Sequence, residues 1–116
     1  MTLLIVGSRS FTNYALMVET IYSQYSIDEI DHIISGGADG ADALAERFAI
    51  EHGISFTEYP AKWRTFGKRA GILRNINMVN EADKVIAFWD GKSAGTQFTI
   101  RYSKEKGKAP FVVEWH

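Results

Sequence analysis

Ser35-Gly36-Gly37-Ala38-Asp39-Gly40-Ala41-Asp42 stands between the apolar run Ile33-Ile34 and a helical repeat that starts near Gly40. Glycines packed this densely mark a point where a strand must stop, turn and launch a helix without Cβ clashes. The same bare backbone lets a phosphate reach the N–H groups at the helix start. The stretch is read as a nucleotide-phosphate cradle, with a ligand-free strand-to-helix turn as the alternative. The dinucleotide fingerprint G-x-G-x-x-G is not met, because Ser35 occupies the place of its first glycine and the loop follows the second strand.

Outward from this loop the chain alternates between two periods. Downstream, Ala41, Leu44, Ala45, Phe48, Ala49 and His52 recur at helical spacing, and Gly53 ends the pattern. Upstream, Asp31–Ile34 reads as a second strand and Leu3–Val6 as a first, closed by Gly7-Ser8-Arg9-Ser10. Between them Asn13 can cap a helix whose apolar face holds Leu16, Met17, Ile21, Tyr22 and Tyr25. Ile54–Tyr59 is a third strand, and 61–68 is read as a loop. Ile72, Leu73, Ile76 and Val79 give a further helix its face, Val85–Phe88 is the fourth strand, and Gly95-Thr96 opens a last helix that Gly107 ends before a fifth strand at 109–113.

Strands that are apolar runs rather than alternations, separated by helices, predict a parallel sheet covered on both faces. The expected fold is a Rossmann-like three-layer α/β sandwich with a five-stranded parallel sheet of order 3-2-1-4-5. In that order the loops after strands one, two and four, which are also rich in Gly, Ser, Thr and Asp, meet at the carboxyl edge.

The 116 residues suffice for one domain, spanning 1–116, and for a single core. Formal net charge of −1 argues against a surface built throughout for nucleic acid but leaves room for a local basic patch. One such patch is legible: between Glu58 and Glu81 the chain carries Lys62, Arg64, Lys68, Arg69 and Arg74 and no acid. Absence of cysteine excludes disulfides, thiolate metal sites and a cysteine nucleophile. His32, His52 and His116 lack ligand spacing, so no metal and no cofactor is expected. No apolar run approaches the ~20 residues of a membrane span and no cleavable leader is evident, which makes the expected location cytoplasmic.

Gly91-Lys92-Ser93 imitates the end of a P-loop, but Ile86 stands where that motif needs glycine. Ser93, Gly95 and Thr96 can instead bind phosphate or sugar oxygens at a helix start, or simply cap it. Asp39 and Asp42 can cap a helix or hold ribose hydroxyls. Trp63 and Trp89 can stack on a base or fill a core.

Four blocks together resemble the YspA-like branch of the SLOG superfamily, which also holds DprA and the Lonely Guy phosphoribohydrolases. They are Gly7-Ser8-Arg9, Ser35 to Asp42, Ala70-Gly71-Ile72-Leu73-Arg74-Asn75, and Trp89-Asp90-Gly91-Lys92-Ser93-Ala94-Gly95-Thr96. The resemblance implies a Rossmann-like domain that binds nucleotides or their derivatives, in a branch often encoded by bacteria and their phages. The implied ligand-binding set is Gly7, Ser8, Arg9, Ser35, Gly36, Gly37, Ala38, Asp39, Gly40, Asp42, Arg74, Asn75, Trp89, Asp90, Gly91, Ser93, Gly95 and Thr96. Hydrolases of the superfamily use an arginine that Arg74 matches and a glutamate after the Gly-Thr. Here Gln97, Phe98, Thr99 and Ile100 follow instead.

Three functions are therefore carried forward. The first is a small sensor or processing domain that binds a phosphate-bearing nucleotide or nucleotide-derived ligand. The second is a phosphoribohydrolase-like N-glycosidic hydrolase with Arg74 on phosphate or ribose and Asp42 or Asp90 as acid/base. The third is a single-stranded nucleic-acid-binding module, suggested by DprA and the basic stretch. A homo-oligomer and no membrane partner are expected.

Overall fold

The computed structural model describes residues 1–115, so His116 lies outside the described residues. In chain order the elements are β1 (Thr2–Gly7), α1 (Tyr14–Gln24), β2 (His32–Gly36), α2 (Ala41–Glu51), β3 (Ser55–Tyr59), α3 (Trp63–Phe66), α4 (Ala70–Glu81), β4 (Lys84–Trp89), α5 (Ala94–Glu105) and β5 (Phe111–Glu114). All strand pairs are parallel and the order is β3-β2-β1-β4-β5, as expected.

The continuous apolar run of β1 follows from its central place. Leu3 and Ile5 face one layer, where they meet Met17 and Ile21 of α1 and Phe48 of α2. Leu4 and Val6 face the other, against Met78 and Val79 of α4 and Ile100 of α5. Successive side chains of a strand point to opposite faces, so a strand covered on both must be apolar at every position. Edge strands β3 and β5 escape that demand and are largely exposed.

Local signals set the ends of the helices. The Asn13 carboxamide oxygen accepts the Leu16 N–H at 3.0 Å, capping α1, while Gly53 and Gly107 take the left-handed φ that stops α2 and α5. The loop expected over 61–68 is corrected: Trp63–Phe66 forms one α-helical turn and Gly67–Arg69 a 3₁₀ turn that runs into α4. Every side chain from Lys62 to Arg69 is exposed, so no apolar periodicity existed there to report a helix. No helix of the described residues is long and apolar enough to cross a membrane.

Candidate functional site: a polar cavity at the carboxyl edge

Sheet order reverses between β1 and β4, which leaves a crevice beyond their carboxyl ends. The loop after β1 is pinned beside it from below. Phe11 is buried and stacks on Phe88 with ring centroids 4.7 Å apart, so the exposed Arg9 is held at the rim by a core residue two positions on. Ser8 ties three loops together: its carbonyl accepts the N–H groups of Phe11 and Ala41, and its hydroxyl accepts that of Asp90 at 3.1 Å.

The glycine-rich loop packs against this first loop. Gly40 has φ +74, and a Cβ there would lie 2.3 Å from the Arg9 carbonyl oxygen. The left-handed residue is thus Gly40, while Gly37 keeps an ordinary φ and its missing Cβ faces only the flexible Glu58 carboxylate. The start of α2 is correspondingly occupied by protein, with Ala41 N–H donating to Ser8 and Ala38 N–H donating to Asp42 at 3.2 Å.

Asp39 and Asp42 separate completely. Asp39 is exposed, whereas Asp42 is 8 % exposed and turns inward. The Ser35 hydroxyl lies 2.9 Å from one Asp42 oxygen and 2.6 Å from the Ile5 carbonyl. A hydroxyl carries one proton and cannot serve both acceptors at once. A neutral Asp42 resolves the conflict by donating to Ser35, which then donates to Ile5. Burial pushes the Asp42 carboxyl in that direction, above the usual carboxylate range, against the hydrogen bonds from Ser35 and Ala38 and the charges of Arg74 and Arg9.

A raised pKa in the folded state contributes stability that is complete below the unfolded value, roughly 3.9, and is lost as pH rises through the folded value. Wild-type stability minus that of Asp42→Asn, from urea titrations across pH, is therefore expected to fall from about pH 4 toward neutrality. Asp90 and Glu51, whose carboxyls are held low, give the opposite slope in both proteins and cancel in the difference. A flat difference would show that the fold does not disfavour ionised Asp42.

Arg74 enters from α4. Its Nε donates to the buried Asn75 side chain at 2.8 Å and its Nη1 to the Tyr59 carbonyl at 3.3 Å. Among the described residues it forms no ion pair; the two pairs present are Met1–Asp31 and Arg47–Glu51. Opposite it lies the first turn of α5, whose N–H groups have no intrahelical acceptors and no capping side chain, with open space at the Cβ position of Gly95. The Ser93 and Thr96 hydroxyls, 3.2 Å apart, flank that turn. These groups enclose a cavity of about 290 Å³ lined by Val6, Gly7, Arg9, Ala38, Asp42, Arg74, Asn75, Met78, Ser93, Gly95, Thr96 and Thr99.

Nine residues named from the sequence thus meet in one cavity: Gly7, Arg9, Ala38, Asp42, Arg74, Asn75, Ser93, Gly95 and Thr96. Gly36, Gly37 and Asp39 line adjoining cavities. The remaining ones shape the loops without lining any of these. Ser8 and Ser35 are buried hydrogen-bonding posts, Gly40 and Gly91 supply positive φ, and Trp89 donates its indole N–H to the Ser93 carbonyl at 3.1 Å. Asp90 accepts the N–H groups of Ser93 and Lys92, both at 2.8 Å, which hold its carboxyl below the usual range and leave it unsuited to donate a proton.

Sequence reasoning missed Val6, Met78 and Thr99 in the floor. The signal was available: Thr99 lies one turn beyond Gly95 and Met78 one turn beyond Arg74, on the same faces. It also missed Glu58, which lines a second cavity of about 240 Å³ together with Trp63. His32 and His52 are engaged locally, with Thr57 at 2.7 Å and Tyr22 at 2.6 Å.

Fold and site together define a Rossmann-like α/β module with a polar, arginine-bearing cavity at its switch point. The YAcAr family, described as the YspA, cpYpsA-related SLOG family, matches residues 1–66, and the chain belongs to it. The "Gene 61 protein" of Mycobacterium phage D29 is 41% identical over 81 residues, which are 65% of each chain. Two solved structures share the fold at 20% identity. DNA processing protein A (DprA) from Streptococcus pneumoniae has a TM-score of 0.79, over 99% of this chain and 50% of that one. The structure reporting a "unique single-stranded DNA binding mode" for DprA from Helicobacter pylori has a TM-score of 0.75, over 100% and 66%. This chain therefore spans between half and two thirds of the length of these relatives.

Proposed function

We propose that the first cavity binds the phosphate of a nucleotide, and that the nucleotide is a unit of a single-stranded nucleic acid. The observation that carries the first half is Arg74: an oriented guanidinium with no ion-pair partner among the described residues, across the cavity from the first turn of α5. Guanidinium donors and free helix N–H groups are the two protein elements best matched to phosphate oxygens. Burial pushes the Asp42 carboxyl above its usual range, which weakens the repulsion it offers an anion there.

The strand is favoured by continuity. The second cavity shares Arg9, Ala38 and Arg74 with the first and leads to the exposed Trp63, beyond which Arg64, Lys68 and Arg69 stand exposed without ion-pair partners among the described residues. An aromatic face beside a row of cations suits successive bases and phosphates. The binding mode reported for the Helicobacter pylori relative supports the same reading.

The test is a fluorescence titration with a short oligothymidylate at several salt concentrations, beside its duplex and beside thymidine monophosphate. The expected result is binding that weakens with salt by a log–log slope of about 0.7 for each phosphate engaged, with the single strand preferred over the duplex. Affinity equal for the mononucleotide and the strand would remove the strand and keep the phosphate. Release of free base from nucleoside monophosphates, lost in Asp42→Asn, would move the function to N-glycosidic hydrolysis.

A further inference from the structure

We propose that the second cavity is a base subsite selective for guanine, an inference that rests on phosphate binding in the first. The two cavities meet at Arg9 and Arg74, so a nucleotide whose phosphate lies between Arg74 and α5 extends its base past Arg74 into the second. Two side chains decide what that base can be. Trp63 on α3 is 57% exposed, packs its indole edge over Gly71 of α4, and has no aromatic partner among the described residues. That leaves a face for stacking.

Glu58, next to last in β3, lays its carboxylate over Gly37, where a Cβ would stand 2.8 to 3.2 Å from its carboxyl atoms. A Cβ there would displace that exposed, flexible carboxylate. Among the described residues no hydrogen bond or ion pair engages it. An ionised carboxylate only accepts, and it accepts best from two parallel donors.

Among the bases, guanine alone presents such a pair, N1–H beside the exocyclic N2–H. Adenine and cytosine set a single amino group beside a ring-nitrogen lone pair, and thymine or uracil sets one N–H between two carbonyls. Each of these would turn a lone pair toward Glu58. The same charge repels a phosphate from the Glu58 end of the second cavity, so an anion is better held at the Arg9 and Arg74 end that the two cavities share.

The test titrates the wild type, Glu58→Gln and Trp63→Ala with inorganic phosphate, guanosine and adenosine monophosphates, and two oligothymidylates, one of which carries a single central guanosine. Melting temperatures confirm that both variants fold. The guanine ligand of at least one pair is expected to bind about tenfold or more tightly than its counterpart. Glu58→Gln, which replaces one acceptor by a donor, should abolish that preference while inorganic phosphate binds as before. Trp63→Ala should weaken all base-bearing ligands together. Preference confined to the monophosphates identifies a free guanine nucleotide, and preference confined to the oligonucleotides identifies a strand.

Equal binding within both pairs, or a preference that survives Glu58→Gln, would overturn the guanine subsite while leaving phosphate binding in place. Failure of inorganic phosphate, monophosphates and oligonucleotides alike to bind the wild type would instead overturn the underlying nucleotide reading, and the subsite with it.

Discussion

Gly40→Ala is expected to lower the unfolding free energy by roughly 2–6 kcal/mol, a large part of the ~5–15 kcal/mol that a domain possesses. Two independent costs add. Gly40 sits at φ +74 and ψ −126, a region in which a side-chain-bearing residue is strained by about 1–3 kcal/mol. Its Cβ would also stand 2.3 Å from the Arg9 carbonyl oxygen and 2.5 Å from that of Ser8. Both obstacles are backbone, so no rotamer relieves them and one loop must move. Gly53→Ala is the clash-free comparison, because Gly53 also has a positive φ, at 65°, but nothing within 4 Å of its Cβ position. Chemical denaturation of the two variants should show Gly40→Ala the more damaging by the clash term, about 1–3 kcal/mol. Equal losses would mean that the loops after β1 and β2 are not in contact in solution. Since Arg9 moves with its carbonyl, the variant should also bind phosphate ligands more weakly.

Arg74→Ala is expected to weaken phosphorylated ligands by ~1.5–3 kcal/mol, about 10- to 150-fold, the range of charge-assisted hydrogen bonds. Its stability should fall by no more than about 1–3 kcal/mol, because the guanidinium forms no ion pair among the described residues and gives up its bonds to the buried Asn75 and to the Tyr59 carbonyl. Gly36→Ala reaches the same group from behind. A Cβ at Gly36 would lie 2.5 Å from Arg74 Nη1 and 2.8 Å from an Asp42 carboxylate oxygen, and the flexible arginine tip yields more cheaply than the hydrogen-bonded aspartate. The charge is then retained and only its position is lost. Calorimetric titration with inorganic phosphate should rank wild type first and Gly36→Ala and Arg74→Ala well below it. Full affinity in Gly36→Ala would show that charge alone, without the placement against Asn75 and Tyr59, suffices. Full affinity in Arg74→Ala would take this residue out of the site.

The amino-acid sequence by itself determined the architecture, because that information is carried by contiguous residues. Leu3-Leu4-Ile5-Val6 and Val85-Ile86-Ala87-Phe88 are apolar at every position, a pattern that requires cover on both faces and so a parallel sheet between helices. The helical spacing from Ala41 to Ala49 and the stops at Gly53 and Gly107 are equally local, and they delimit helices that the fold retains. With the order β3-β2-β1-β4-β5, the edge where the polar loops gather follows.

The tertiary structure alone decided which of those polar residues do what. Asp39 and Asp42 are alike on paper. Asp42 is buried because Ser35, itself anchored on the Ile5 carbonyl, and Arg74, brought from other segments, close around it. Gly40 rather than Gly37 carries the left-handed turn because the backbone of Ser8 and Arg9 leaves no room for a Cβ. Asp90 is consumed by its own loop. Glu58 and Trp63 share a cavity only because β3 ends and α3 begins beside the glycine loop. Periodicity reports which face of an element is apolar. Burial of a charge, the direction of a guanidinium and the room around a glycine depend on atoms tens of residues away in the chain, and only the packed structure brings those together.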